Sequence, residues 1–133
     1  MSRRFAALAL VAVVLSACSG QPSPSPNPVR PSSPAVLTVV QPVAGETLHG
    51  TTVHVELSLQ GAEIVALTTT DIRPDQGHVH LYVNNVLVSM TSGLEQDVPV
   101  HTGSYVVKAE FVAADHAPFN PRVWSSETIF TVE

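Results

Sequence analysis

Hydrophobic and polar residues alternate with a period of two over most of the chain after residue 35. In residues 51–59, four valine or leucine side chains fall on one face, and His54, Glu56 and Ser58 fall on the other. This alternation predicts a half-buried antiparallel strand. Because no stretch after residue 18 shows sustained helical periodicity, the pattern predicts an all-β domain.

The pattern predicts about seven short strands with turn residues between them. Asn84 and Asn85 predict a two-residue hairpin turn, because asparagine tolerates positive φ. Seven strands with turn signals every 8–12 residues or so are typical of a two-sheet sandwich, and we expect an immunoglobulin-like antiparallel β-sandwich over residues 35–133. The predicted strands are residues 36–40, 51–59, 78–83, 86–90, 97–100, 105–113 and 123–132; residues 62–70 are apolar and β-branched but less regular.

One tyrosine supports the immunoglobulin-like topology. Tyr105 opens the predicted sixth strand directly after Thr102-Gly103-Ser104. In a tyrosine corner, a tyrosine at this position bonds its hydroxyl group back across the preceding turn. We therefore predict a structural tyrosine corner at Tyr105, the alternative being a tyrosine that opens a strand by chance.

The first 18 residues are ordered like a secretory signal. Arg3 and Arg4 precede an apolar run over residues 5–15, and small residues follow before Cys18, the one cysteine of the chain. The run is too short for a spanning helix, which needs roughly 20 residues. Leu15-Ser16-Ala17-Cys18 resembles a lipobox, which implies that Cys18 becomes the N-terminus and carries lipid with acyl chains such as palmitate. An ordinary signal peptide with a chance cysteine is the alternative.

Residues 19–34 are rich in proline and serine and are predicted to be an extended spacer. After Cys18, four Lys or Arg residues stand against eleven acidic residues, which gives a net charge of −7. This charge argues against nucleic acid as a partner and against electrostatic docking to anionic lipid. We therefore expect attachment through the lipid anchor to the cell membrane or the outer membrane, on the extracytoplasmic side of the cell envelope.

A group of histidines is the one feature of the sequence that indicates a metal-binding site. In Gly77-His78-Val79-His80-Leu81-Tyr82-Val83, alternation buries the aliphatic side chains and sends His78, His80 and Tyr82 to the opposite face. Two imidazoles on one strand face suit a single zinc or copper(II) ion. Asp115 and His116 lie in a loop expected at the same end of the sandwich, so His78, His80, Asp115 and His116 are the candidate metal ligands. The alternative is a set of ordinary polar residues with no cofactor.

A family resemblance rests on the same residues. The stretch GHVHLYVNNVLV and the later TGSYVVKAEFVAADHAPFNPRV are similar to uncharacterised bacterial periplasmic and lipid-anchored domains. These domains carry a Gly-His-x-His strand and a closing Asp-His-x-Pro-x-x-Pro loop. The chain departs from them at Tyr105, where the family often has a histidine. The resemblance implies a fold and a location, and no established activity comes with it.

The sequence therefore predicts a non-catalytic, lipid-anchored extracytoplasmic binding or accessory domain. No Gly-x-Ser-x-Gly elbow and no glycine-rich phosphate loop is present in the sequence, so we expect no enzyme. The alternative function is a copper- or zinc-binding lipoprotein in metal handling. In either case a protein or a metal ion in the cell envelope is the expected partner, besides the membrane itself.

Overall fold

The computed structural model describes residues 29–90 and 93–133, and Cys18, the signal segment and most of the predicted spacer lie outside them. Within these residues, ten strands form two sheets that pack face to face, which confirms the predicted immunoglobulin-like β-sandwich. The strands are β1 (Val36–Gln41), β2 (Thr47–Leu48), β3 (Thr52–Gln60), β4 (Glu63–Ile64), β5 (Gln76–Val83), β6 (Val86–Ser89), β7 (Glu95–Pro99), β8 (Gly103–Ala113), β9 (Pro118–Trp124) and β10 (Thr128–Val132).

The smaller sheet has the order β1-β3-β7, and the larger has the order β2-β10-β8-β5-β4. Strand β6 pairs with β5 through a hairpin whose turn residues, Asn84 and Asn85, have φ angles of 49° and 64°. Strand β9 pairs with the last part of β8, whereas β10 pairs with its first part. The β5–β8 pair is central, with antiparallel register from Gly77 opposite Ala113 to Val83 opposite Val107.

The core lies between the two sheets and follows from the alternation. Val53, Val55 and Leu57 of β3 point inward from one sheet. Val79 and Leu81 of β5 point inward from the other and are fully buried. Phe111 of β8 stacks on Phe119 of β9, with the ring centroids 5.6 Å apart. Burial of each such side chain contributes roughly 1.5–3 kcal/mol, so these residues account for the two-sheet arrangement.

The pattern was wrong about one segment near the end of the chain. Residues 115–121 were predicted to be loop and residues 123–132 a single strand, but strand β9 already begins at Pro118. Its two prolines are tolerated because β9 pairs with β8 alone. The break before β10 is closed by Ser125, whose N–H donates to the Ala109 carbonyl and whose hydroxyl accepts from the Ala109 N–H.

Tyr105 reaches back over the turn that precedes β8. Its hydroxyl donates to the His101 carbonyl oxygen at 3.0 Å and accepts the His101 N–H at 2.9 Å. These are the contacts that a tyrosine corner makes. The ring stacks on Phe130 of β10, so the phenol joins the turn to the edge of the core.

In residues 29–90 and 93–133, the structure contains no helix of sufficient length and hydrophobicity to span a bilayer.

Candidate histidine site

Strand β5 presents His78 and His80 on the face that points away from the core, as the alternation predicts. The structure nevertheless leaves their side chains only 3% and 6% exposed. They are covered because the turn after β8 brings His116 over this face of the sheet. The segment after β4 packs beside it, with the Val65 N–H bonded to the Gly77 carbonyl and the Thr68 hydroxyl in contact with His116. The face is therefore an enclosed polar layer rather than an open surface.

Gly77 makes the pairing of β5 with β8 close at this point. A Cβ atom added to Gly77 would collide with the carbonyl oxygen of Val112. Any larger residue must therefore push β5 away from β8 directly before His78. This contact gives a physical reason for a glycine at the start of the Gly-His-x-His sequence.

A tight turn between β8 and β9 places His116 over β5. The His116 N–H donates to the Ala113 carbonyl, and the Ala113 N–H donates to the Ala117 carbonyl, which closes the turn. Asp115 Oδ1 accepts the Ala117 N–H at 3.0 Å. His116 has a φ of 64°, in the left-handed region that is uncommon outside glycine but that asparagine, aspartate and histidine adopt more often than other residues. The surrounding turn thus holds the imidazole over β5 through this backbone conformation.

Three imidazoles meet at this turn. His80 Nε2 lies 3.2 Å from His116 Nδ1. The ring of His78 stacks on the ring of His116, with a centroid separation of 4.2 Å and an interplanar angle of 10°. The second nitrogen of His116, Nε2, lies 3.2 Å from the hydroxyl oxygen of Thr68. The structure therefore brings together three of the four predicted ligands.

The surroundings favour the neutral forms of His78 and His80. Burial lowers the pKa values of His78 and His80, and the neighbouring His116 lowers both further. The carboxylate of Glu110 acts in the opposite direction on His80. The backbone of Ala113 and Val65 acts likewise on His78. A lowered pKa keeps the imidazoles uncharged near neutral pH, with lone pairs able to bind a metal or accept a hydrogen bond.

His78 contains an unsatisfied polar atom. Its Nδ1 is buried and makes no hydrogen bond of good geometry, although the backbone of Ala113 and Val65 lies close enough to the ring to raise its pKa. A buried nitrogen without a partner costs about 1–3 kcal/mol, and most buried polar groups in proteins are paired. This atom lies in the same enclosed layer as the His80–His116 contact.

Asp115, the fourth predicted ligand, is engaged elsewhere. Arg30 Nη1 donates to Asp115 Oδ2 at 2.7 Å, and Arg30 Nη2 donates to Oδ1 at 2.9 Å. This ion pair lowers the pKa of the Asp115 carboxyl group. The Asp115 carboxylate therefore binds Arg30 and the backbone of the turn. Its neighbour His116 is the residue of this turn that contacts His78 and His80.

A buried carboxylate lies next to the histidines on β8. Glu110 is opposite His80 in the strand register and is 1% exposed. Arg122 of β9 donates to both of its oxygens, at 2.6 and 2.7 Å. The guanidinium also lies over the ring of Trp124. The negative charge of Glu110 is therefore paired with the positive charge of Arg122.

As the side chains stand, no group of three or more His, Cys, Asp or Glu residues within residues 29–90 and 93–133 is arranged to hold a metal ion. The arrangement consists of two nitrogens that face each other, those of His80 and His116, and a third ring, that of His78, stacked on His116. The remaining histidines are separate: His49 and His101 are exposed, and His54 pairs with Asp97 on the smaller sheet. Three surface concavities, of about 510, 460 and 290 Å³, are lined by none of His78, His80 and His116.

Sequence reasoning missed two residues of the site. Thr68 lies in a segment without clear periodicity, and no spacing signal linked it to His116. Arg30 was read as part of the spacer because proline and serine surround it. A signal for Arg30 was its charge, since it is one of only four Lys or Arg residues after Cys18.

No protein-family model matches the chain, and the search of curated proteins finds no match. Among solved structures, the chain is similar to the fibronectin(III)-like modules of Clostridium thermocellum CbhA, with 22% sequence identity and a TM-score of 0.55. That match covers 74% of this chain and 46% of the other. An engineered protein matches with 14% identity and a TM-score of 0.44, covering 74% of this chain and 20% of the other.

The likeness to the fibronectin(III)-like modules shows the fold alone. It agrees with the two sheets and with their face-to-face packing. This chain corresponds to less than half the length of the structure that it matches.

Proposed function

We propose that this chain is a non-catalytic binding or accessory module, displayed on the extracytoplasmic side of a membrane through a lipid on Cys18. The observation that carries the proposal is the fastening of Arg30 to the domain. Arg30 makes two bonds to Asp115, one to the Ala117 carbonyl and one to the Pro118 carbonyl. The Pro31 carbonyl accepts the Asn120 N–H as well.

These five bonds, which we call the Arg30 clamp, fix the point where the proline-rich segment meets the sandwich. Arg30 follows Cys18 by twelve positions. In an extended polyproline conformation this stretch spans about 37 Å, at roughly 3.1 Å per residue. A lipid on Cys18 would then hold the sandwich at a limited distance from the bilayer, with the β8–β9 turn toward the tether.

The proposal of a non-catalytic module is supported by the partners of the ionisable side chains. His116 contacts the Thr68 hydroxyl, but its other nitrogen lies against His80 rather than a carboxylate. In a hydrolytic triad, a carboxylate orients the histidine and stabilises its protonated form. The two nearby carboxylates, Asp115 and Glu110, are each held by an arginine.

Metabolic labelling with a fatty acid in a bacterial host tests the anchor. The wild-type chain should take up label, partition into detergent and be digested by protease added to cells whose outer barrier is permeabilised. Cys18→Ala should abolish the label, whereas the neighbouring control Ser19→Ala should leave it unchanged. Label that persists in Cys18→Ala, or a wild-type chain that is unlabelled and protected from protease, would contradict the proposal.

A further inference from the structure

The imidazoles of His78, His80 and His116, which we call the histidine layer, meet at the turn between β8 and β9. We propose that His80 Nε2 and His116 Nδ1 bind one divalent transition-metal ion of the class that prefers imidazole, copper(II) or zinc(II), with His78 as a third ligand. The site would belong to the sandwich itself, so it does not depend on whether Cys18 carries a lipid.

The distance between the two nitrogens fits a shared ion once both rings turn. The rings now lie almost in line, with centroids 5.5 Å apart and planes 17° apart, so the two nitrogens face each other as in an N–H···N hydrogen bond. Imidazole nitrogens bind zinc at about 2.0–2.1 Å. Two nitrogens 3.2 Å apart then subtend an angle of roughly 100° at the ion, at bond lengths of about 2.05 Å. This angle lies between the square-planar and tetrahedral values, and these are the geometries that copper(II) and zinc(II) adopt.

The other nitrogen of His116 has the partner that a ligand needs. A metal-binding histidine usually donates its second N–H to an oxygen, which fixes the tautomer and the orientation of the ring. Thr68 Oγ1 lies 3.2 Å from His116 Nε2 and supplies this acceptor. With the proton on Nε2, the lone pair of Nδ1 points toward His80.

His78 supplies the second, independent observation. The residue is 3% exposed, and its buried Nδ1 makes no hydrogen bond. A buried nitrogen that makes no hydrogen bond, in a cluster of three imidazoles, can take a metal ion as its partner. Because His78 is stacked on His116 rather than edge-on to it, its ring must turn to reach the ion.

The donor set selects the class of metal. The three donors are imidazoles, whereas calcium and magnesium prefer carboxylate and carbonyl oxygens. The nearest carboxylates, Asp115 and Glu110, are bound by Arg30 and Arg122. A site of imidazoles with water in the open positions suits copper(II) and zinc(II), and copper(II) binds more tightly in the usual order of affinities.

Calorimetric titration with copper(II) and with zinc(II) near pH 7.5 tests the proposal. The full-length chain is used in detergent and carries Cys18→Ala, so that no thiol competes for the ion. We expect one ion per chain, with copper(II) bound more tightly than zinc(II). His80→Gln and His116→Asn should each weaken binding at least tenfold, and asparagine at position 116 tolerates the left-handed backbone. The control His101→Gln should bind as the parent does.

Equal affinities for the parent and for a chain with both His80→Gln and His116→Asn would overturn the proposal, as would an equal loss in His101→Gln. The histidines would then be a hydrogen-bonded and stacked cluster only. If His80→Gln does not fold, His116→Asn alone decides, because its side chain lies in a turn. Loss of fatty-acid labelling has no bearing on this outcome, so the two proposals fail separately.

Discussion

Arg30 and Asp115 form a two-pronged ion pair across 85 positions of the sequence. Their side chains are 22% and 24% exposed. The pair joins the start of the domain to the turn that carries His116. The tether junction and the histidine layer are therefore held by the same turn, and a change at one is expected to be felt at the other.

Loss of the Arg30 side chain, which makes four of the five bonds of the Arg30 clamp, should destabilise the domain. Arg30→Ala deletes four side-chain hydrogen bonds. Because the pair is partly exposed, we expect a loss of about 1–2 kcal/mol in the free energy of unfolding. Arg30→Lys is the matched control: it keeps the charge but not the fork, and should recover only part of the loss. Urea denaturation followed by the fluorescence of Trp124, the one tryptophan, measures both.

A double-mutant cycle with Asp115→Asn separates the ion pair from the other contacts. Asparagine keeps an oxygen for the Ala117 N–H. The two single losses should add to more than the loss in the double variant, because both remove the same pair. Strict additivity would mean that Arg30 and Asp115 do not interact in solution.

The metal-free protein should become less stable as the pH falls below about 6.5. The pKa values of His78 and His80 are lowered in the folded state, so the unfolded chain binds more protons than the folded chain in this range. The stability that neutral His78 and His80 contribute is therefore fully present above the unfolded-state pKa of about 6.5. It is lost as the pH falls toward their lower folded-state pKa values. Urea melts of the metal-free chain between pH 8 and pH 5 measure the slope.

His54 is the control for this pH dependence. Asp97 raises the pKa of His54, so its contribution has the opposite sign and is lost as the pH rises. His80→Gln should flatten the slope, whereas His54→Gln should steepen it. An unchanged slope in His80→Gln would mean that the folded state does not disfavour the protonated ring.

Tyr105→Phe should lower the free energy of unfolding by about 1 kcal/mol and leave the sandwich intact, because it removes the hydrogen bonds to the His101 backbone. Tyr82→Phe is the matched control. Its hydroxyl lies 3.5 Å from Glu110, a weak contact, so its removal should cost less. Equal free energies of unfolding for the two variants in urea would mean that the tyrosine corner does not stabilise the domain more than an ordinary surface tyrosine does.

His78→Phe should stabilise the metal-free protein while weakening metal binding. Phenylalanine keeps a ring to stack on His116 but removes the unpaired Nδ1, and we expect a gain of about 1 kcal/mol. His78→Leu is a second variant in case the larger ring is too bulky. His80→Phe is the contrast, since it breaks the contact with His116 and should destabilise. Destabilisation by both His78 variants in thermal melts would mean that Nδ1 has a partner in solution.

Alternation along β5 was sufficient to predict which residues face the core and which face outward, because side chains in a strand alternate by geometry. It could not predict that His78 and His80 are buried, since His116, which covers them, lies more than thirty positions later in the sequence. The proline- and serine-rich composition of residues 19–34 predicted that Arg30 belongs to the spacer. Average composition cannot reveal that a single charged residue pairs with a distant one. Pro118 and Pro121 led to the prediction of a loop at the start of β9, although an edge strand tolerates proline.

The most direct test of the histidine site is nuclear magnetic resonance of the imidazole nitrogens during titration with zinc(II), which is diamagnetic. We predict that one equivalent of zinc(II) shifts the resonances of His80 Nε2 and His116 Nδ1, followed by that of His78. Those of His49, His54 and His101 should stay in place. Small, uniform shifts of all six histidines, or shifts confined to the exposed ones, would contradict this prediction.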